Sequence, residues 1–316
     1  MGRKRERIET KASASLAEKL FYDPGVKEKI LSSFLTPFSW LYGGGMYLRR
    51  MLAVRSRYPI PVISVGNLVV GGSGKTPFVI ALASRYEGAW VVSRGYGRRS
   101  RGLVEVSRPG EILASVEAAG DEAMEMARAL PQAGVIVSED RSIGIRRALE
   151  LGARLIVLDD GFNRVEIEKL EILLEPEHLP NRRVLPAGPF REFPSTARLA
   201  DLRLKEGREY RREVSVEGAT ERMVLATSIA RPERLEPWLP PQVVARHILP
   251  DHGWFDPATL RGLLEKHRAQ SLLVTEKDAV KLEPFQLPLS RLKLQLRIDP
   301  AVLETVDRYV KEYYAA

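Results

Sequence analysis

Short apolar runs alternate with helix-like stretches from residue 61 onward. In the first part of the chain, the runs that predict strands cover residues 62–65, 90–93, 135–138, 155–159 and 172–174. They are almost continuously apolar, which is typical of strands that are covered on both faces. The alternation with helices predicts an α/β fold with a mostly parallel, doubly wound sheet, in which ligands bind at the carboxyl ends of the strands.

A second, smaller α/β unit follows a highly charged stretch at residues 205–212. Its predicted strands lie near residues 223–227, 243–249, 272–275 and 292–298, and its predicted helices near residues 257–266 and 300–314. We therefore expect three parts: an N-terminal segment (residues 1–55), a core (residues 56–208) and a C-terminal α/β domain (residues 209–316).

The N-terminal segment combines a basic tail with an uncharged run at residues 30–48. The run has the length of a membrane span, but its serines, Pro37 and the glycines at 43–45 make it too polar and too interrupted for one. Its aromatic residues are of the types found at headgroup depth, and the basic residues that flank it attract anionic lipid. These flanking residues are Lys27, Lys29, Arg49 and Arg50. We expect docking at a membrane interface; packing on the protein's own core is the alternative.

Composition narrows the classes of partner. The 316 residues include 49 Lys and Arg against 41 Asp and Glu, a net charge of +8, which favours an anionic partner. No recognisable nucleic-acid module is present, so phospholipid or a phosphorylated substrate is favoured over nucleic acid. The chain has no cysteine, which excludes disulfides, thiolate metal sites and a cysteine nucleophile.

A glycine-rich turn between an apolar strand and a helix, at residues 62–81, predicts a phosphate-binding loop. Glycines allow backbone N–H groups to approach a phosphate, and the helix N-terminus attracts its charge. Lys75 would reach the β- and γ-phosphates of ATP, and Thr76 would bind Mg²⁺. The strict motif requires glycine where Val69 stands, so the match is to its Gly-Lys-Thr end. The residues assigned to the nucleotide are Gly71, Gly72, Ser73, Gly74, Lys75 and Thr76.

The run at residues 155–159 ends in Asp159 and Asp160. A strand that delivers a carboxylate to Mg²⁺ in P-loop enzymes has this form. The sequence does not decide which of the two acids contacts the metal. Capping of the following turn is the alternative.

Three other loops carry candidate site residues. Arg94 opens a basic, glycine-containing loop that would clamp an anion, although a solvated loop is equally consistent with the residues. Asp121 and Glu122 open a helix, where the helix dipole alone would also favour acids. Arg191 and Glu192 end a loop rich in proline and glycine, and such rigid loops often position functional side chains.

Seven motifs together resemble one family, the tetraacyldisaccharide 4'-kinases. They occur in order between about residues 34 and 281 and read Val-Gly-Asn-Leu-Val-Val-Gly-Gly-Ser-Gly-Lys-Thr-Pro, Ser-Arg-Gly-Tyr-Gly-Arg, Gly-Asp-Glu, Asp-Asp-Gly-Phe, Leu-Pro-Ala-Gly-Pro-Phe-Arg-Glu, Pro-Asp-His and Thr-Glu-Lys-Asp-Ala-Val-Lys. The resemblance implies a P-loop kinase that transfers the γ-phosphoryl group of ATP to the 4'-hydroxyl of a lipid A disaccharide 1-phosphate. It also implies a peripheral or monotopic location on the cytoplasmic face of the bacterial inner membrane, in contact with anionic lipid. No obligate protein partner is implied.

The resemblance also assigns roles. Asp121 is implied to be the general base together with His252, the loop of Arg191 and Glu192 to belong to the active site, and the second domain to close over ATP. Two positions depart from the family pattern: Ala123 replaces a proline, and Asn163-Arg164 replaces Gln-His. We transfer no role to Asn163 or Arg164.

The competing hypothesis is a membrane-associated ATPase switch with a deviant Walker loop, which phosphorylates no small molecule. Proteins of this class resemble each other in carrying a lysine directly before the paired glycines of the loop. In this chain Val70 occupies that position, which argues against the hypothesis. A GTPase is less well supported. Residues 276–278 read Glu-Lys-Asp and lack the residue that separates lysine from aspartate in the N-K-x-D motif, which recognises guanine. A non-enzymatic scaffold on a lipid surface is the third reading.

Overall fold

The computed structural model describes residues 16–71, 74–175, 179–229, 232–251 and 253–315. Two β-sheets, one of eight strands and one of five, organise these residues. The strands of the large sheet are β1 (Val62–Gly66), β2 (Ala89–Ser93), β3 (Val104–Arg108), β4 (Glu111–Ile112), β5 (Gly134–Val137), β6 (Leu155–Asp159), β7 (Leu170–Glu175) and β8 (Leu202–Lys205).

The strand order of the large sheet is β4-β3-β5-β2-β6-β1-β7-β8. Strands β5, β2, β6, β1, β7 and β8 are parallel, whereas β3 is antiparallel to β5 and β4 is antiparallel to β3. In the register of β1 and β6, Val65 lies opposite Asp159. The predicted mostly parallel sheet is confirmed, and the carboxyl ends of β1 and β6 lie side by side.

Helices cover both faces of the large sheet. They are α3 (Lys75–Ala83), α4 (Val116–Ala119), α5 (Asp121–Ala129) and α6 (Arg141–Glu150). Alternate strand residues enter different cores: Ile63 packs in the core that includes α3 and α5, while Val62 packs in the core that includes α6. This two-residue alternation is why the strands are apolar on both faces.

The small sheet has the order β11-β10-β12-β13-β9. Its strands are β9 (Tyr210–Glu217), β10 (Met223–Thr227), β11 (Val243–Ile248), β12 (Ser271–Thr275) and β13 (Leu289–Ile298), and its helices are α7 (Pro257–His267) and α8 (Glu276–Leu282). Strand β9 is antiparallel to β13, and the other pairs are parallel. The sequence analysis missed β9, because most of its residues are charged or polar and its single fully buried side chain is Tyr210.

The last helix, α9 (Pro300–Ala315), returns to the large sheet. The hydroxyl of Tyr309 donates to the carbonyl oxygen of Val62 at 3.1 Å, and the hydroxyl of Tyr313 donates to that of Tyr58 at 2.6 Å. Val302 and Val306 of this helix are buried in the core of α3 and α5. The chain therefore leaves the large sheet between β8 and β9 and packs against it again at its end.

Helices α1 (Leu16–Tyr22) and α2 (Val26–Leu52) precede the sheets. Helix α2 runs without a break through Pro37 and through the glycines at 43–45, which the sequence analysis treated as interruptions. No helix in the described part of the chain combines the length and the apolarity that a membrane crossing needs. The remaining helical segments are 3₁₀ helices at Pro194–Leu199, Pro232–Trp238 and Glu283–Phe285.

Candidate active site

The glycine-rich turn lies between β1 and α3, and Lys75 is the first residue of α3. Gly71 has φ of +97° and Gly74 has φ of +72°, which are left-handed conformations that favour glycine. A β-carbon on Gly74 would collide with the guanidinium of Arg212, which approaches this turn from β9. Gly72 and Ser73 lie outside the described residues, so their assignment to the nucleotide stays a prediction.

Lys75, Asp160 and Arg191 form an ion-pair cluster beside this turn. The Nζ of Lys75 lies 3.4 Å from Oδ1 of Asp160, and it donates a hydrogen bond to Oδ1 of Asn67 at 3.3 Å. Arg191 donates to Oδ2 of Asp160 at 2.7 Å. Burial opposes the ionisation of Asp160, but Lys75 and Arg191 outweigh it and lower its pKa to about 2. One carboxylate therefore holds two cations at the N-terminus of α3.

Asp159, the last residue of β6, has different surroundings. Its Oδ2 accepts a hydrogen bond from the hydroxyl of Ser93 at 2.8 Å, and the buried Arg141 donates to its carbonyl oxygen at 3.4 Å. Burial and the neighbouring carboxylates of Glu122 and Asp160 raise the pKa of Asp159 to about 6, although Lys75 opposes them. The two adjacent acids thus differ in the balance of their surroundings: Lys75 and Arg191 prevail at Asp160, whereas burial and acidic neighbours outweigh Lys75 at Asp159.

The turn after Asp160 packs closely on β1. Asp160 has φ of +53°, in the left-handed region, and its N–H donates to the carbonyl oxygen of Val65 at 3.0 Å. A β-carbon on Gly161 would lie 2.7 Å from the hydroxyl of Ser64, and one on Gly66 would lie 2.5 Å from Phe162. Glycine at both positions lets the turn approach β1 and fixes Asp160 beside the phosphate-binding loop.

The loop that carries Arg191 pairs with the chain entering the phosphate-binding loop. The N–H of Val70 donates to the carbonyl oxygen of Pro189 at 2.9 Å, and the N–H of Arg191 donates to that of Leu68 at 2.8 Å. These backbone hydrogen bonds place Arg191 next to Lys75 although 116 positions separate them in the sequence. The pairing explains how a loop rich in proline and glycine delivers an ordered side chain.

Glu192, the next residue, points to a different partner. Arg50 in the last turn of α2 donates from Nε and from a terminal nitrogen to the two carboxylate oxygens of Glu192, each at 2.9 Å. The sequence analysis counted Arg50 among the basic residues that attract lipid, but the structure commits its side chain to this buried ion pair. A direct role of Glu192 in the active site stays a prediction.

Asp121 and Lys281 connect the two sheets. Asp121 is the first residue of α5, and its Oδ2 lies 2.7 Å from Nζ of Lys281 at the end of α8. Lys281 also donates to the hydroxyl of Ser228 at 3.0 Å and to the carbonyl oxygen of Gly253 at 3.1 Å. Asp278 accepts hydrogen bonds from the N–H and the hydroxyl of Ser228 and so fixes that residue in turn. The acid implied to be the general base is therefore held by the small domain.

Further contacts between the unit of the large sheet and the small domain lie around this pair. The Nζ of Lys277 lies 3.8 Å from Glu122 and 3.3 Å from Asp251. Arg128 forms an ion pair with Glu283. The guanidinium of Arg99 lies 5.5 Å from the centre of the Trp254 ring, a cation–π contact. Several charged contacts therefore join the units at the helix that presents Asp121.

Two candidate residues are less defined by the structure. Arg94 is solvent-exposed after β2, close enough for its charge to contribute to lowering the pKa of Arg141. His252 lies outside the described residues, so its partnership with Asp121 stays a prediction.

The side chains at this edge fit Mg²⁺ and the phosphates of a nucleotide. Within the described residues, no three acidic or histidine side chains come together as a ready-made metal site. Mg²⁺ in phosphate-transferring sites is usually bound by one or two carboxylates together with phosphate oxygens and water, so Thr76 with Asp159 or Asp160 would be enough, and this assignment stays a prediction. Burial first, and then the neighbouring acidic charge, raise the pKa of Asp159, and a bound cation would favour its ionised form.

The parallel sheet, the glycine turn that opens α3 at Lys75 and the acids at the end of β6 define a P-loop protein of the phosphotransferase type. A family model described as tetraacyldisaccharide-1-P 4'-kinase, LpxK, matches residues 31–311. The chain belongs to this family.

Relatives and a solved structure are similar over nearly the whole chain. A tetraacyldisaccharide 4'-kinase of Helicobacter pylori (strain HPAG1) is 45% identical over 96% of this chain and 97% of its own length. One from Aliarcobacter butzleri is 39% identical over 94% of this chain and 97% of its own length. A crystal structure of LpxK from Aquifex aeolicus in complex with ATP has a TM-score of 0.76 at 29% identity and covers 90% of this chain and 99% of its own.

The sequence analysis gave no role to Lys281 or Arg141, and it assigned Arg50 to the attraction of lipid and not to the site. Lys281 is the last residue of the Thr-Glu-Lys-Asp-Ala-Val-Lys motif, which could have marked it as a site residue. Its partner Asp121, however, lies 160 positions away, in a helix that packs on the large sheet. Arg141 and Arg50 carried no signal, because nothing local distinguishes a buried arginine from an exposed one.

Proposed function

We propose that this protein transfers the γ-phosphoryl group of ATP to the 4'-hydroxyl of a tetraacyldisaccharide 1-phosphate, a precursor of lipid A. Its family and its named relatives support this reaction. The structural observation that carries the proposal is the convergence of Lys75, Asp160 and Arg191 at the N-terminus of α3. Cations gathered there suit the terminal phosphates of ATP and not an uncharged ligand.

Phosphoryl transfer needs mainly positioning and positive charge on the phosphate oxygens. Lys75 would bind the β- and γ-phosphates, and Arg191, which contacts the other carboxylate oxygen of Asp160, would donate to the transferring group. Thr76 and Asp159 would hold Mg²⁺, which when bound neutralises phosphate charge. The N–H groups at the start of α3 would orient the phosphate chain.

The acceptor hydroxyl must lose a proton as the phosphoryl group arrives. Asp121 is the candidate base, because it opens α5 at the edge of the sheet where Glu122 adjoins Asp159. The ammonium of Lys281 compensates the buried carboxylate, and His252 would share the proton. A positioned base contributes roughly 10²- to 10⁴-fold to a rate. Residues of the small domain would thus complete the site and exclude water from it.

Helix α2 supports docking on a lipid surface. Its apolar side chains face outward: Trp40 is 68% exposed and Leu41 is 78% exposed, with Phe34 and Phe38 also exposed. The buried residues of the helix are Ser32, Ser39 and Gly43. A helix on a water-facing surface buries its apolar side chains and exposes its polar ones, whereas α2 does the reverse. Exposed apolar patches of this kind mark contact surfaces. We propose that α2 docks on anionic lipid at the cytoplasmic face of the inner membrane.

The test is incubation with γ-labelled ATP, Mg²⁺ and lipid A disaccharide 1-phosphate in mixed micelles. Label should appear on the lipid with wild-type protein and not with Lys75→Ala. Lys266→Ala, which changes an exposed lysine of α7, is the matched control. Release of inorganic phosphate without labelled lipid would instead support the ATPase switch, and retained turnover in Lys75→Ala at saturating ATP would refute the assignment of the phosphate-binding loop.

A further inference from the structure

Arg50 contacts two segments of the core at once. Besides the forked ion pair with Glu192, its terminal nitrogen donates to the carbonyl oxygen of Phe162 at 3.2 Å, and its guanidinium lies 4.8 Å from the centre of the Phe162 ring. The side chains of Arg50 and Glu192 are only 8% and 3% exposed. A buried charge pair with these geometries is held firmly in place, because either partner alone would remain uncompensated.

The two contacted residues are next to the phosphate site in sequence. Glu192 directly follows Arg191, and Phe162 lies two positions after Asp160. Arg191 and Asp160 in turn contact each other at 2.7 Å, and Asp160 lies 3.4 Å from Lys75. Arg50 therefore contacts both of the segments whose side chains, Asp160 and Arg191, pair beside the phosphate-binding loop.

The rest of the inner face of α2 contacts the same loop. Ser32, Ser39, Gly43 and Arg50 are spaced by seven, four and seven residues, which places them on one side of the helix. The hydroxyl of Ser32 donates to the carbonyl oxygen of Ala187 at 2.6 Å, and that of Ser39 donates to Val184 at 2.7 Å. A β-carbon on Gly43 would lie 2.6 Å from the Phe193 ring. Helix α2 is thus fitted to residues 184–193 along its length.

We propose that Arg50 is a positioning residue for phosphoryl transfer, which holds the Asp160–Arg191 pair in register and links it to helix α2. This inference rests on the proposed kinase function. Arg50 touches neither the nucleotide-binding turn nor the acceptor site, and it acts through Glu192 and Phe162. Because the outer face of α2 is the proposed lipid contact, the same helix connects the lipid surface to the phosphate site.

Arg50→Lys tests the proposal, since lysine keeps the charge but cannot form the fork to Glu192 together with the bond to Phe162. We expect kcat to fall about tenfold, the loss of one charge-assisted hydrogen bond, while KM for ATP changes less than about twofold. Amide hydrogen exchange of residues 184–192 should accelerate in the ligand-free protein. Arg297→Lys is the matched control, because Arg297 is an exposed arginine of β13, paired with Glu213, and should change neither measurement.

A double variant tests whether Arg50 acts through Arg191. If it does, Arg50→Lys combined with Arg191→Lys should be no slower than Arg191→Lys alone. Multiplicative losses, or an Arg50→Lys protein with normal kcat and unchanged exchange, would overturn the proposal. Should Arg50→Lys fail to fold, Glu192→Gln, which preserves shape and removes charge, is held to the same expectations. Absence of activity in the wild type would refute the proposed function, whereas the exchange comparison would still decide the positioning role.

Discussion

The ammonium nitrogen of Lys281 lies 2.7 Å from the carboxylate of Asp121, in a pair whose side chains are 1% and 7% exposed. The lysine belongs to the small domain and the aspartate to the helix that borders the phosphate site. An ion pair this deeply buried has little solvent to replace a lost partner. Its removal should therefore affect both the stability of the protein and the candidate base.

Lys281→Met should lower the free energy of unfolding by about 3–5 kcal/mol, because it leaves the carboxylate of Asp121 buried without this cation. Adding Asp121→Asn should recover much of that loss, since the second change removes the uncompensated charge. Urea unfolding of the wild type, both single variants and the double variant measures the coupling. Lys277→Met is the control with a smaller expected loss, because its partners Glu122 and Asp251 are more exposed. Additive losses would show that Lys281 and Asp121 do not stabilise each other.

Asp121 and His252 should act as one catalytic unit. Asp121→Ala and His252→Ala are each expected to lower kcat by about 10²-fold or more, as removal of a general base does. KM for ATP should change little, because neither residue belongs to the phosphate-binding loop. The double variant should be little worse than the poorer single variant. Steady-state kinetics of the three variants measures this, and a normal kcat in His252→Ala would identify a structural histidine.

Asp159 should make Mg²⁺ binding depend on pH near 6. Its pKa in the folded protein is raised to about 6 from an ordinary value of 3.8, mainly by burial and by Glu122. A metal ligand must be ionised, so the half-saturating Mg²⁺ concentration for turnover should rise as pH falls below 6. In Asp159→Asn this rise should be shallower. The variant also controls for the titration of ATP itself.

The same shift has a consequence for the ligand-free protein. Between pH 3.8 and about 6 the folded state binds more protons at Asp159 than the unfolded state, so the free energy of unfolding falls as pH rises through this window. Asp159→Asn should therefore be more stable than wild type at pH 7 but not at pH 3.5. Thermal unfolding at both pH values measures this. A destabilised variant at pH 7 would contradict the raised pKa.

Binding to lipid vesicles should depend on the outward face of α2. Phe34→Ser together with Leu41→Ser should reduce sedimentation with vesicles that contain phosphatidylglycerol, because both changes remove exposed apolar area. High salt should weaken binding of the wild type by screening its basic residues. Ile143→Ser, an exposed apolar position on α6, is the control. Wild-type protein that stays soluble with these vesicles at low salt would argue against docking, and resistance to everything but detergent would argue for a deeper insertion.

Local sequence was enough to predict five of the six parallel strands of the large sheet, the glycine-rich turn before α3 and the family, but not strand β8. These features are local: a continuous apolar run specifies a strand covered on both faces, and Gly-Lys-Thr before a helix specifies an anion site within a few residues. The resemblance rests on seven such local motifs. The acids at 159 and 160 were placed correctly at a strand end, because the end of an apolar run marks it directly.

Which charges meet depends on tertiary packing and could not be read from the sequence. Arg49 and Arg50 are adjacent and identical in type, yet one is exposed while the other is buried against Glu192. Likewise Asp160 is compensated by two cations whereas Asp159 is not, and Lys281 reaches Asp121 from another domain. The energy of a charge depends on its burial and on neighbours that packing brings together, and neither is a property of local sequence. The outward apolar face of α2 also could not be predicted locally, because an apolar run does not show which side of its helix packs against the rest of the protein.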